Sequence, residues 1–213
     1  MAKVTALRSQ QRRKDRANVF LDGAYAFSLQ LILAAGLHVG QELSQTEIDA
    51  LRRRDAGERA YESALYYLSF RPRSAWEIEQ HLLKKEVDDE IIATVLARLE
   101  RANLVNDVDF ARFWVENREA FRPRGAWALR SELRQKGLAN EVIDSALEGL
   151  DEEQNAIRAA ERKAHQLAHL DKQTFRRRLL GFLQRRGFGY GVCSQVTDHY
   201  WHKVAEARET ELD

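Results

Sequence analysis

The chain has 213 residues and a mass of 24.6 kDa, enough for one or two domains that bury their own cores without metal or disulfides. Thirty-four Lys and Arg against 33 Asp and Glu leave a formal charge of +1, so any function through charge must lie in its distribution. The lone cysteine, Cys193, excludes an intrachain disulfide; no apolar run nears the roughly 20 residues that span a bilayer, and no signal-peptide core follows Met1. A cytoplasmic protein without a membrane partner is expected. Only 2 Pro and 11 Gly, with 31% charged and 44% hydrophobic residues, predict a mainly α fold built from amphipathic helices.

Residues 1–16 carry Lys3, Arg8, Arg12, Arg13, Lys14 and Arg16 against Asp15 alone, with little apolar periodicity, and read as a flexible basic arm. Residues 17–43 follow as a β-hairpin extension. Asp22-Gly23 between apolar runs is a tight-turn sequence, and Tyr25, Phe27 and Leu29 alternate so that one face packs and the other stays wet. From Ser44 the period is helical, and Ser44-x-x-Glu47 has capping-box spacing. Helix then dominates to the end.

The helical part repeats itself. Phe70-Arg71-Pro72-Arg73-Ser74-Ala75-Trp76 returns 51 residues later as Phe121-Arg122-Pro123-Arg124-Gly125-Ala126-Trp127, and residues 70–99 match 121–150 at 12 of 30 positions. A fainter third copy at a shift of 50 aligns Leu129, Leu133, Gly137 and Leu138 with Leu179, Leu183, Gly187 and Phe188. Each proline closes one helix before the next opens at Ser74-x-x-Glu77 or its counterpart, and Gly137 suits the left-handed residue past a helix end. The architecture expected is three tandem three-helix repeats in a curved, solenoid-like module, over residues 44–105, 106–155 and 156–213.

Charge placed on this repeat becomes informative. Residues 122–136 hold Arg122, Arg124, Arg130, Arg134 and Lys136 against Glu132, and residues 171–186 hold Lys172, Arg176, Arg177, Arg178, Arg185 and Arg186 against Asp171. The first copy is weaker, with Arg71, Arg73, Lys84 and Lys85 against Glu77 and Glu79, while residues 140–161 carry seven acids against Arg158. Equivalent helices of a solenoid line one face, so a basic stripe and a separate acidic surface are expected, suited to a partner of mixed charge or a nucleoprotein. Arginines at the proline turns can reach phosphate or carboxylate with a planar donor fork. The plainer reading of the same residues is helix capping or internal ion pairing.

Other residues favour packing over chemistry. Trp76 and Trp127 lie in amphipathic helices, where core or inter-helix contact is expected ahead of base stacking. His165 and His169 share a helical face but lack the glutamate of a His-Glu-x-x-His site, and Cys193 takes the register of Ile143, a buried hydrophobe. Asn106 or Asp107 reads as a helix cap, and Gly187 to Gly191 as a flexible turn. No enzyme constellation and no cofactor or metal are implied.

Three motifs give the middle of the chain a family likeness: Ala64-Leu65-x-x-Leu68-Ser69-x-Arg71-Pro72-Arg73-Ser74-x-x-Glu77, Asn106-Asp107-x-x-Phe110-Ala111-x-x-Trp114-x-x-x-Arg118, and Glu132-Leu133-x-x-Lys136-Gly137. On these it resembles the RecX family of bacterial regulators of the RecA recombinase. The hairpin Val19 to Leu29 with Leu37-x-Val39-Gly40-Gln41-x-Leu43 is similar to the N-terminal extension of longer members. The resemblance implies a monomer lodged along the groove of the RecA filament on single-stranded DNA. There it would suppress ATP turnover, strand exchange and the co-protease activity behind the SOS response. Candidate contacts to RecA or DNA are Arg71, Arg73, Arg122, Arg124, Arg130, Arg134, Lys136, Arg176, Arg177, Arg178, Arg185 and Arg186. An autonomous DNA-binding module that competes for the strand is the alternative.

Overall fold

The computed structural model describes residues 1–11 and 14–210. They form four strands, β1 (Ala2–Ser9), β2 (Arg16–Leu21), β3 (Ala24–Gln30) and β4 (Glu42–Leu43), with a one-turn helix α1 (Leu31–Ala34) before β4. Nine longer helices follow: α2 (Gln45–Leu68), α3 (Ala75–Leu83), α4 (Asp89–Arg101), α5 (Asp107–Phe121), α6 (Ala126–Arg134), α7 (Asn140–Leu147), α8 (Glu152–Leu167), α9 (Lys172–Arg185) and α10 (Tyr190–Thr210). The mainly helical class and the three tandem three-helix repeats are therefore as the sequence predicts. The chain divides into two compact units, Met1–Pro72 with Glu77–Val105, and Arg73–Trp76 with Asn106–Asp213.

In the first unit the strands make one antiparallel sheet in the order β3-β2-β1-β4. The Asp22-Gly23 turn has φ of 49° and 86°, the paired positive values that match a two-residue hairpin to strand twist. The arm expected from the sequence is not free over Ala2–Ser9, which form β1, nor at Arg16, which opens β2. Val4 is fully buried in β1, and Arg16 is buried in β2 with its guanidinium on the Asp55 carboxylate of α2 at 2.8 Å. Arg12 and Arg13 lie outside the described residues. Asp55 also accepts the Gln30 amide at 2.8 Å, so one side chain ties two strands to the helix. Val4, Val19, Phe27 and Leu29 then close an apolar core against Leu43 and Ile48, and only Tyr25 of the alternating trio faces water.

Each repeat folds by the same local chemistry. Ser44 caps α2 in a reciprocal box with Glu47, Asn106 accepts the Val108 and Asp109 amides at the start of α5, and Asp171 accepts the Thr174 amide at the start of α9. The middle helix of every repeat ends in the same turn. Val87, Leu138 and Phe188 donate back to Leu82, Leu133 and Leu183, around Glu86, Gly137 and Gly187 at φ of 58°, 78° and 84°. The apolar faces of α6 and α9 place Leu129, Leu133, Leu179 and Leu183 at zero exposure, each worth about 1.5–3 kcal/mol of burial. Cys193 is fully buried in the third core, where burial raises its thiol above the ordinary cysteine value.

Candidate functional site

The second unit contains two copies of one joint. In the first, the Ser74 hydroxyl donates to the Lys136 carbonyl at 2.7 Å, the Ala75 amide donates to Asp107 Oδ1 at 2.9 Å, and the Trp76 side chain lies so close to Gly137 that a Cβ there would overlap it. In the second, the Gly125 amide donates to the Arg186 carbonyl at 3.1 Å, the Ala126 amide donates to Glu152 Oε1 at 2.6 Å, and Gly187 sits against Ala128. The opening of a middle helix thus docks on the left-handed turn of the next repeat, and an acid from the next repeat caps it. Backbone contact at Gly125 and Gly187 leaves no room for a side chain at either.

The second joint gathers cations. The Arg186 guanidinium donates to the Pro123 carbonyl at 3.2 Å and lies 4.7 Å over the Phe182 ring. Burial, then the neighbouring Arg124 and Arg122, lower its proton affinity below the usual arginine value. Arg124 is half-buried on Glu132 at 2.9 Å, whose other oxygen accepts from Arg118 and from Trp114 Nε1. Arg122 is exposed, and among the described residues no carboxylate pairs with it.

The remaining candidates separate. Arg71 grips the buried Glu77 with two bonds of 3.0 and 2.7 Å, which fastens the proline turn to α3. Arg73 and Lys136 are half-buried, the latter 5.2 Å from the Trp114 ring. Arg130 pairs with Asp144, Arg134 donates to Asn140 at 3.1 Å, and Arg176 pairs with Asp198. Arg177, Arg178 and Arg185 on α9 are exposed, with no ion pair among the described residues. The charge segregation of the sequence is therefore partly undone in space, because acids of α7 and α10 turn back onto the basic helices.

The expectation of core or inter-helix contact is met by Trp76 and overturned for Trp127. Trp127 is 74% exposed and Phe121 78%, while Trp76 keeps its inter-helix contact at 41%. Trp127 precedes the fully buried Leu129 by two residues, or 200° around the helix, which turns it away from the core; that spacing was available in the sequence. His165 and His169 line a groove of about 450 Å³ between α8 and α10 with Tyr200 and Lys203.

Known proteins sharing this arrangement identify the family. The RecX N-terminal domain model matches residues 2–44, and models of the first, second and third RecX three-helix domains match residues 60–99, 106–147 and 151–197. Regulatory protein RecX of Bacillus subtilis (strain 168) is 32% identical over 213 residues, covering 98% of this chain and 81% of the relative. The chain belongs to the RecX family. The Clostridium botulinum (strain Alaska E43 / Type E3) regulatory protein RecX is 31% identical over 203 residues, covering 92% of this chain and 95% of its own length. A crystal structure of regulatory protein RecX superposes with a TM-score of 0.73 at 27% identity, covering 93% of this chain and all of the other. These RecX matches span both the sheet and the helical repeats.

Proposed function

We propose that this RecX-family chain is a non-enzymatic regulator of the RecA recombinase, acting in the cytoplasm as a monomer. It binds the RecA filament on single-stranded DNA and inhibits its ATP hydrolysis, strand exchange and co-protease activity, restraining recombinational repair and the SOS response. The observation that carries the reading is the repeated joint, which sets Arg122, Arg124 and Arg186 together on a protein of this family. A filament is itself a repeat, and a module touching more than one protomer binds one helical state better than another. That differential affinity is what shifts a filament's population.

The exposed cations Arg122, Arg177, Arg178 and Arg185 also favour a second reading, direct DNA binding in competition for the strand. ATP hydrolysis by RecA on single-stranded DNA, titrated with substoichiometric amounts of this protein, separates the two. Inhibition that excess DNA does not relieve supports filament recognition. No inhibition, or inhibition abolished by added DNA, leaves the competing DNA-binding module.

A further inference from the structure

The outward side of α6 carries an indole among cations. Trp127, Arg130 and Arg134 are spaced i, i+3 and i+7 and so share one helical face, opposite the buried Ala128, Leu129 and Leu133. The one acid of α6, Glu132, is turned inward onto Trp114, Arg118 and Arg124; Arg130 pairs with Asp144 of α7, while Arg134 donates only to the neutral Asn140 and keeps its charge on that side. Just before the helix stand the exposed Phe121 and the exposed Arg122. Among the described residues Trp127 has no hydrogen-bond, ring or cation partner. Trp127 and Phe121 thus leave two large aromatic side chains exposed on either side of the proline turn.

The neighbours decide the ligand. Trp127 shares its helical face with the guanidinium groups of Arg130 and Arg134, and among the described residues no acid pairs with the exposed Arg134. A ligand that covers a flat aromatic face and also answers several positive charges is a nucleic-acid strand, with bases that stack and phosphates that pair. Duplex bases are already stacked on one another, so the strand must be single. The same position in the third repeat, 50 residues on, is the exposed Arg177, and in the first it is Trp76.

We infer that Trp127 is a base-stacking platform for single-stranded nucleic acid, with the exposed Arg122, just before the same helix, holding a phosphate of the strand. This deepens the function proposed above and rests on it for the source of the strand, the DNA of the filament. The recognition is independent of base sequence, because every base has a π face.

The test compares full-length protein and variants for binding to a fluorescent oligo-dT and to inorganic polyphosphate, which has charge without bases, with RecA ATPase inhibition measured in parallel. Trp127→Ala should weaken oligo-dT binding about tenfold and leave polyphosphate binding unchanged; Trp127→Phe should restore most of the loss, and Arg122→Glu should weaken both probes. Circular dichroism confirms that each variant is folded. Failure of the wild-type protein to bind oligo-dT, undiminished binding by Trp127→Ala, or an equal loss on both probes would overturn the inference. Unchanged oligo-dT binding with lost ATPase inhibition would make Trp127 a protein contact instead. Tryptophan-dependent oligo-dT binding without any effect on RecA would preserve the platform and remove the proposed regulatory role.

Discussion

Asp55 accepts from Arg16 and from the Gln30 amide and pairs at 3.1 Å with Arg59, while both Asp55 and Arg16 are nearly withdrawn from water. Removing the carboxylate strands a buried guanidinium, a change that costs about 3–5 kcal/mol. Asp55→Ala is expected to lower urea-unfolding stability by that amount, and a loss below about 1 kcal/mol would mean that water reaches Arg16. The joint arginines divide in the same way. Arg124→Glu would place a second carboxylate against Glu132, whereas Arg122→Glu removes a cation from beside Arg186. Melting curves should therefore show Arg122→Glu as stable as the parent or slightly better and Arg124→Glu less stable, with both weakening inhibition of RecA ATPase. Intact inhibition in Arg122→Glu would remove that residue from the interface.

At the scale of elements, the three turns after α3, α6 and α9 make an internal comparison. Glu86 holds a left-handed conformation that costs a non-glycine residue roughly 1–2 kcal/mol, partly offset by the chain entropy that glycine would lose. Glu86→Gly should gain roughly 0.5–1 kcal/mol in thermal unfolding, while Gly187→Ala should lose more than that, because its Cβ meets Ala128 as well as the wrong φ. Equal effects at the two sites would mean that the joint yields easily. Acid behaviour is set at the helix starts. The Thr174 amide and hydroxyl hold the Asp171 carboxyl below its ordinary pKa, so its contribution is complete above the usual carboxylate range and is lost as pH falls through the depressed value. Asp171→Asn should flatten the acid limb of a stability–pH curve, and an unaltered limb would show that other carboxylates control it. These elements differ in how far the sequence announces them. Two prolines at one repeat position, capping residues and glycines at helix ends are local signals, so the nine long helices could be read directly. The strand β1 could not, because Lys3 and Arg8 mask its alternation and its order depends on partners such as Leu21 and Val19, far along the chain. Likewise the contact of Gly125 with Gly187 has no local sign.

Over the whole molecule, a charge of +1 conceals arginines that pair with no acid among the described residues. If Arg122, Arg177, Arg178, Arg185 and Arg186 meet a single strand, the logarithm of affinity should fall with the logarithm of salt at a slope of about −3.5; a slope near zero would exclude phosphate contacts. Which of the twelve candidate cations remain available was not legible from composition, since Glu77, Glu132, Asp144 and Asp198 claim theirs only in three dimensions. The two joints of the second unit also share a direction. In each, the opening of a middle helix meets the closing turn of the following repeat, so the contact is head-to-tail and contains no two-fold relation. A surface built that way has polarity. Two orientations on a strand running 5′ to 3′ are not equivalent for such a protein, and reversing the strand presents it with a different ligand.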